Sequence, residues 1–206
     1  VRVVEDLAQC VAKNAIATDV SSTKADICVA AQKHWAAPRR FVGSHPMAGS
    51  EKHGPEHASA SLFEQHVCLV EEADDLCPDA HGRIVALWEA VGARVVPVNA
   101  QAHDAILACT SHLPHVVASA LAQLAARKGD VRDFVGNGFR DTTRIAASRP
   151  EVWRDICLSN RAALMQAIVE YQKSLEIMRH ALEDEDAETI EHFFAGGNAA
   201  RQGILG

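Results

Sequence analysis

The sequence lacks the features that mark several large protein classes. Its six cysteines include no Cys-x-x-Cys pair, so a zinc ribbon and a disulfide framework lose their main support. No uninterrupted apolar run approaches the roughly 18 residues of a bilayer helix, which predicts no membrane span and no membrane partner. Basic residues form no cluster, and 20 Lys and Arg stand against 27 Asp and Glu. We therefore expect no nucleic-acid partner.

A secretion signal is missing as well. The first residues, VRVVEDLAQCVAK, form an amphipathic pattern with acidic residues rather than a basic segment followed by an apolar one. Together with the scattered cysteines, this predicts reduced thiols and a cytoplasmic location. The 206 residues, 48% of them hydrophobic and 23% charged, are typical of a globular chain that buries a core.

Two kinds of pattern follow one another along the chain. Up to Val98, helical and strand-like segments alternate, as in parallel α/β units. From Asn99 the strand signals vanish and long helical patterns follow, the first interrupted at Pro114. The sequence thus predicts an α/β domain over residues 1–98 and an all-α domain over 99–206. The expected strands lie at 15–20, 41–43, 66–70 and 94–98, and the expected helices of the first half at 2–13, 22–35 and 78–91.

The last long helix has a clear start signal. Ser148 to Glu151 reads as a capping box with Pro150 in the first turn. Apolar residues at heptad spacing follow, which predicts that the helix packs along another one, either in its own domain or in a second subunit. These residues are Leu164, Ile168, Tyr171, Leu175, Met178 and Leu182.

Polar groups gather where two predicted strands end, which is where open α/β sheets bind ligands. After the first strand, the hydroxyl of Ser22 and the free amides of a helix start suit an anion or a polar substrate; plain N-capping by Ser21 or Ser22 is the alternative. After the second strand, His45 precedes Pro46. Its imidazole suits a general base, although a structural histidine is the other interpretation.

The helical half contributes two further candidates. His112 and His115 lie three residues apart on one side of a helix, but no third ligand or His-Glu-x-x-His motif accompanies them, so we predict no metal site. Arg140 and Arg144 can face a common anion at helical spacing, unless they belong to a solvated edge where Asp141 is a local partner.

These segments, in this order, resemble one known family. The strand end DVSSTK is followed by FVGSHPMAGSEKHG, then by ACTSHLPHVVASAL and GNGFRDTTRIAASRPEVWRDICLSN. The chain resembles the prephenate and arogenate dehydrogenases of tyrosine biosynthesis, from near residue 1 to about residue 180.

The resemblance implies a fold and an activity. The implied fold is the C-terminal half of a Rossmann-type nucleotide-binding domain followed by a helical dimerisation domain, so we expect a homodimer. The implied activity is oxidative decarboxylation with NAD or NADP, which converts prephenate to 4-hydroxyphenylpyruvate or arogenate to tyrosine.

Roles for individual residues follow from the same resemblance. His45 matches the catalytic histidine, and Ser22 matches the serine that hydrogen-bonds near it, beside the cofactor. Arg144 matches the arginine that binds a substrate carboxylate. The remaining matches line or gate the substrate pocket: His112, His115, Ser50, Glu51 and Trp153.

One family feature is missing from the sequence. No Gly-x-Gly-x-x-Gly turn follows a strand, and Gly136-Asn137-Gly138 cannot replace it because it lies in the helical half without the third glycine. We therefore expect the sequence to be a fragment of a longer enzyme rather than a half-domain relic. Two alternatives to the dehydrogenase remain: a non-catalytic helical dimer with structural or adventitiously metal-binding histidines, and a related Rossmann-type enzyme acting on another hydroxy acid.

Overall fold

The computed structural model describes residues 1–49 and 54–206, which form two compact units, Val1–Leu164 and Met165–Gly206. The strands are β1 (Ala17–Thr18), β2 (Phe41–Val42), β3 (Ser44–Pro46), β4 (Val67–Glu71) and β5 (Arg94–Val98). The helices are α1 (Arg2–Cys10), α2 (Ala25–His34), α3 (Pro78–Ala90), α4 (Ala100–Leu107), α5 (Leu113–Ala126), α6 (Asn137–Thr143), α7 (Pro150–Ser159), α8 (Arg161–Glu183) and α9 (Ala187–Leu205).

The strands pair in two small sheets. In one sheet, β1 pairs with β2 in parallel, with Ala17 opposite Phe41. In the other, β4 pairs in parallel with β5 and antiparallel with β3, which places His45 opposite Leu69. The four predicted strands are present, and β3 is an additional one. A three-residue strand that contains proline carries too little pattern to be recognised from sequence.

Helix α3 packs against the β-strands through two of the four apolar residues whose spacing predicts a buried face; Leu87 and Val91, the other two, are 49% and 37% exposed. Ile84 and Trp88 are buried in a core cluster with Val42 and Val70. Pro78 opens the helix, and Gly92 follows its end at a φ of +85°, a left-handed conformation that favours glycine. Helix α3 therefore starts and stops where the sequence indicated.

A buried ion pair joins the ends of β2 and β4. Arg39 donates to both carboxylate oxygens of Glu71, at 2.7 and 2.9 Å, and also contacts Asp75. Glu71 in turn accepts the backbone N–H of Gly43 at 3.0 Å. A Cβ at Gly43 would lie 2.9 Å from Cys28 Sγ, so this position between β2 and β3 has no room for a side chain. The pair thereby fixes the backbone immediately before His45.

The first helical segment beyond β5 is interrupted, but not by a proline kink alone. One turn of π-helix, Ala108–His112, separates α4 from α5, and Pro114 lies in the first turn of α5. Proline is tolerated there because the first N–H groups of a helix have no intrahelical partner. The π-turn changes the direction in which His112 and the residues around it face.

By length and composition alone, the segment Ala100–Ala126 is long and apolar enough to cross a membrane, whereas the sequence was expected to contain no such segment. Its most apolar window has a mean hydropathy of 1.4, enough for a membrane-crossing helix, and 22% of that window is buried. The same segment contains His103, Asp104 and His112, all buried among hydrogen-bond partners.

The predicted long helix after Pro150 differs from expectation in two ways. Ser148 does not cap it: the N-cap is Arg149, and the Ser148 hydroxyl instead donates to the Ile145 carbonyl. The helix also stops at Asn160, so α7 and α8 are separate. Asn160 is buried and its side-chain amide donates to the Asp104 carbonyl at 2.7 Å, a tertiary contact that no local pattern reveals.

The unit Met165–Gly206 consists of the rest of α8 and of α9. Asp186 caps α9 by accepting the N–H of Thr189 at 3.0 Å. Much of the apolar surface here is exposed, including Leu175 and Leu182 of the predicted heptad seam and Phe194 of α9.

Candidate functional site

A cavity of about 730 Å³ lies at the ends of the strands, within residues 1–164. Five of the residues selected from sequence line it: Ser22, His45, His115, Arg144 and Trp153. They come from the loop after β1, from β3, from α5, from the turn after α6 and from α7. Residues separated by up to 131 positions in sequence therefore meet at one site.

His45, on strand β3, lies at the bottom of the cavity. It is 8% exposed, and its Nδ1 lies 2.9 Å from Nε2 of His103. Burial, reinforced by the nearby His103 and Lys24, lowers the pKa of His45 from 6.5 to about 4. The imidazole is therefore neutral at neutral pH, which is the form that accepts a proton.

Two residues behind His45 were not predicted from the sequence. His103 and Asp104, both buried on α4, are linked through His103 Nδ1 and Asp104 Oδ1 at 2.7 Å. Burial opposes ionisation of Asp104, but hydrogen bonds from His103 and from two backbone N–H groups hold the pKa of its carboxyl below the usual value. The available signal was a His-Asp pair inside the otherwise apolar stretch AQAHDAILA.

Ser22 does not cap helix α2, the alternative role that the sequence left open. Helix α2 begins after Lys24, and the N–H groups of Lys24 and Ala25 donate to the carboxylate of Asp104 at 2.8 and 2.9 Å. No side chain of Ser21 or Ser22 takes that role. Ser22 instead lines the cavity and is half-buried.

Lys24 and Asp19 add a buried charge pair next to this loop. The Lys24 ammonium contacts the Asp19 carboxylate, and Asp19 also accepts the N–H of Ser44 at 3.0 Å. These contacts attach the loop after β1 to the start of β3. They hold Ser22 and His45 on the same side of the cavity.

His112 lies beneath the cavity rather than in its lining. It is 1% exposed, and its Nδ1 is 3.1 Å from the side-chain nitrogen of Asn160. Burial lowers the pKa of His112 to about 4. Within residues 1–49 and 54–206, its Nε2 has no hydrogen-bond partner and no group of three metal-ligating side chains occurs.

His115 and Trp153 form one wall of the cavity. Their rings stack with centroids 3.5 Å apart and planes 21° from parallel. His115 Nδ1 lies 3.0 Å from the Ser111 carbonyl, and burial lowers the pKa of this imidazole. The wall offers a flat surface to a planar or ring-shaped ligand.

Arg144 supplies positive charge at the mouth of the cavity. It begins a short 3-10 turn, Arg144–Ala147, because α6 already ends at Thr143. This break removes the helical pairing expected with Arg140, which does not line the cavity, and Asp141 forms no ion pair with Arg144. Among the described parts of the chain Arg144 forms no ion pair at all, while Arg149 joins it in the lining.

Ser50 and Glu51, the two other candidates, lie outside the described residues.

An α/β segment with parallel strands, followed by helices that complete a polar cavity at the strand ends, is the architecture of two-domain nucleotide-binding proteins. Residues 1–97 match the family model "Prephenate dehydrogenase, nucleotide-binding domain", and residues 99–196 match "Prephenate dehydrogenase, dimerization domain". The chain belongs to the prephenate dehydrogenase family.

Similar proteins support this assignment. A cyclohexadienyl dehydrogenase of Zymomonas mobilis is 34% identical over 91% of this chain and 66% of its own length. A prephenate dehydrogenase of Bacillus subtilis is 33% identical over 91% of this chain and 52% of its own length. The chain thus spans about half to two thirds of the length of these relatives.

A solved structure agrees with the fold. The prephenate dehydrogenase from Aquifex aeolicus in complex with hydroxyphenyl propionate and NAD+ has a TM-score of 0.90 at 30% identity, over 98% of this chain and 72% of that one. The predicted fold class is thereby confirmed: part of a Rossmann-type nucleotide-binding domain followed by a helical dimerisation domain.

Proposed function

We propose that this chain supplies the catalytic base and the substrate pocket of a prephenate or arogenate dehydrogenase. The observation that carries the proposal is a neutral, buried His45 at the bottom of a cavity that also holds the exposed guanidinium of Arg144. A base at one end and a cation at the other match a substrate that has a reactive hydroxyl and a carboxylate.

His45 takes the hydroxyl proton of the substrate. Because His103 occupies its Nδ1, Nε2 is the ring nitrogen left for a ligand in the cavity. Ser22 lies in the same lining and is suited to hydrogen-bond the same hydroxyl. Removing this proton favours carbonyl formation at the ring carbon, and loss of carbon dioxide then makes the ring aromatic.

Arg144 binds a carboxylate of the substrate. A guanidinium presents parallel N–H donors that match the two oxygens of a carboxylate. Arg149, which is itself 3.7 Å from the Glu151 carboxylate, lies in the same lining. The stacked rings of His115 and Trp153 support the six-membered ring between these two ends. His112 stabilises the pocket from beneath, and Ser50 and Glu51 are proposed to complete or gate it.

The strand ends also fit part of a nicotinamide nucleotide site. The parallel pair of β1 and β2 ends next to the Ser22 hydroxyl at the cavity, the position where such sheets bind nucleotides, whereas the sequence contains no glycine-rich phosphate turn. When bound, NAD or NADP supplies the hydride acceptor. Ser22 would hold the reacting end of the cofactor next to the substrate.

We further propose that the protein forms a homodimer in the cytoplasm, with the domain boundary near residue 98. The exposed apolar side chains of α8 and α9 support the dimer, since a soluble monomer rarely leaves so many uncovered. Those of Met165, Leu182, Phe194, Ile204 and Leu205 are each at least 60% exposed.

The direct test is turnover by the full natural protein that contains this chain. Prephenate and arogenate are each supplied with NAD+ and with NADP+, and reduced nicotinamide and the aromatic product are measured together. Formation of both in equal amounts is expected for at least one pair. Absence of turnover with every pair by a folded protein would contradict the proposal and favour a non-catalytic helical dimer.

A second measurement distinguishes the proposed enzyme from a related dehydrogenase that acts on another hydroxy acid. A dehydrogenase for an open-chain hydroxy acid would reduce the nicotinamide without releasing carbon dioxide from prephenate. Binding of hydroxyphenyl propionate to the 206-residue chain, monitored by the fluorescence of Trp153 and the two other tryptophans, tests the pocket alone. The Arg144→Gln variant is the matched control that retains size but loses charge.

A further inference from the structure

Three buried side chains form a continuous hydrogen-bonded chain that ends at the cavity. His45 Nδ1 lies 2.9 Å from His103 Nε2, and His103 Nδ1 lies 2.7 Å from Asp104 Oδ1. The exposed fractions of the three residues are 8%, 0% and 4%. Water therefore does not compete for these contacts, and each ring nitrogen between the ends has one defined partner.

The N–H groups that donate to Asp104 indicate where the protons of this chain lie. Its Oδ1 also accepts the N–H of Lys24 at 2.8 Å, and its Oδ2 accepts the N–H of Ala25 at 2.9 Å. An ionised carboxylate only accepts, so the proton between Asp104 and His103 belongs to His103 Nδ1. A neutral His103 then has an unprotonated Nε2, which accepts the Nδ1 proton of His45. His45 is left with its lone pair on Nε2.

We propose that His103 and Asp104 are positioning residues that fix the tautomer of His45, with Nδ1 protonated and Nε2 free to act as base. This inference rests on the proposed function for its catalytic meaning, but the tautomer itself does not depend on any activity. The logic is that of a catalytic triad in which a second imidazole separates the carboxylate from the base.

The chain also determines how His45 responds when it takes a proton. An imidazolium formed at His45 keeps its Nδ1–H donating to His103, and the negative charge of Asp104 lies one ring further away. Among the described residues, Lys24 and Asp19 on the loop before α2 and His112 in the π-turn also act on the charge of His45. Lys24 is paired with Asp19, and the carboxylate of Asp104 is linked to the base by hydrogen bonds through His103.

A purely structural role is the competing explanation. Asp104 caps α2 through the N–H groups of Lys24 and Ala25, so its removal would lower stability whether or not it acts on His45. Stability alone cannot distinguish the two roles. The tautomer of His45 can, because capping of α2 has no effect on which of its ring nitrogens carries the proton.

The experiment measures histidine tautomers by two-bond ¹H–¹⁵N correlation in the ¹⁵N-histidine-labelled 206-residue chain at neutral pH. In the wild type we expect His45 to be protonated at Nδ1, the minor form of a free imidazole. In His103→Leu, which removes the acceptor, the Nε2-protonated form should become the major one. In His103→Gln, whose side-chain oxygen still accepts from His45 Nδ1, the wild-type tautomer should be largely restored.

His66→Gln is the matched control. His66 is exposed and its Nδ1 contacts only the Glu64 carbonyl two residues away, so this variant should leave the signals of His45 unchanged. An Nε2-protonated His45 in the wild type overturns the proposal, and this result needs no variant to fold. A wild-type tautomer that persists in folded His103→Leu overturns it equally.

Kinetics of the full natural protein add a readout on the proposed reaction. His103→Leu should lower kcat by about 10²- to 10⁴-fold with little change in KM, and His103→Gln should recover part of the loss. Equal losses in both variants, with a normal His45 tautomer in His103→Gln, would assign His103 a structural role and contradict positioning. If the wild type turns over no substrate while the tautomers behave as expected, the proposed function fails and the chain of hydrogen bonds stands.

Discussion

The two ends of the cavity are built in opposite ways. At the base end, His45 is buried, its Nδ1 is hydrogen-bonded, and its pKa is lowered to about 4. At the cation end, Arg144 is exposed and forms no ion pair with the described residues. The base is therefore preorganised by the fold, whereas the cation has no such preorganising partner among the described residues. Burial favours a neutral base, and exposure keeps a permanently charged group solvated until it binds.

The difference matters because the two groups act at different stages. A preorganised base lowers the barrier of the chemical step, while a solvated cation contributes mainly to binding. Substitutions at the two ends should therefore separate kcat from KM.

Replacing His45, the base, should give the largest effect of the substitutions at the two ends of the cavity. In the full natural protein, His45→Asn should lower kcat by about 10²- to 10⁴-fold with little change in KM, because asparagine can hydrogen-bond the hydroxyl but cannot accept its proton. The rate of the wild type should fall on the acid side as His45 protonates, at a pH nearer 4 than the 6.5 of a free imidazole. Steady-state kinetics across pH measure both. A variant that loses only affinity would place His45 outside the chemical step.

The cation end should respond in KM. Arg144→Gln removes one charge-assisted, bidentate contact, which is worth roughly 1.5–3 kcal/mol, so KM should rise about 10- to 100-fold while kcat changes less. The matched control is Arg154→Gln on α7, because Arg154 is exposed and paired with Asp155 outside this cavity. An unchanged KM in Arg144→Gln would show that the exposed guanidinium binds no carboxylate, and the contrast between the two ends would lose its functional meaning.

The sequence revealed the lining of the cavity better than its support. Ser22, His45, His115, Arg144 and Trp153 stand in recognisable segments, and the structure brings all five together. The residues behind them were missed because their importance comes from tertiary contacts. His103 is 58 positions from His45, and Asn160 joins His112 across 48 positions.

The fold shows the same division. Long periodic elements such as α3 and β5 were predicted nearly to their ends, because a full buried face produces a repeating pattern. The π-turn of Ala108–His112 and the break at Asn160 were not, because both depend on how the backbone meets its neighbours. The cap at Ser148 was wrong since the hydroxyl found a nearer acceptor in the Ile145 carbonyl.

Stability against pH sharpens the comparison without any substrate. His45 and His112 are held neutral in the folded protein with pKa values of about 4, against about 6.5 when unfolded. Between these values the unfolded state binds more protons, so the free energy of unfolding should decrease as pH falls, by up to about 1.4 kcal/mol per pH unit for each group. Urea denaturation at a series of pH values measures the slope.

The matched variant for this slope is His112→Asn, which removes one histidine that burial holds neutral. Its slope between about pH 4 and 6.5 should be smaller than that of the wild type, by up to about 1.4 kcal/mol per pH unit, whatever its absolute stability. Arg144→Gln should leave the slope unchanged, because guanidinium does not titrate in this range. Equal slopes in wild type and His112→Asn would show that His112 is not held neutral by burial.

The stacked wall between the two ends should give the smallest effect. The ring centroids of Trp153 and His115 lie 3.5 Å apart. A ligand ring that packs on this wall gains about 0.5–1.5 kcal/mol beyond its buried area. Trp153→Leu keeps an apolar side chain but loses the flat surface, so we expect affinity for hydroxyphenyl propionate to fall about 2- to 10-fold, as measured by calorimetry. Trp153→Phe retains a ring and should lose less than Trp153→Leu. If both variants lose affinity as strongly as Arg144→Gln, the ring of the ligand rather than its carboxylate dominates binding, and the cavity would be a ring-binding site with an accessory cation.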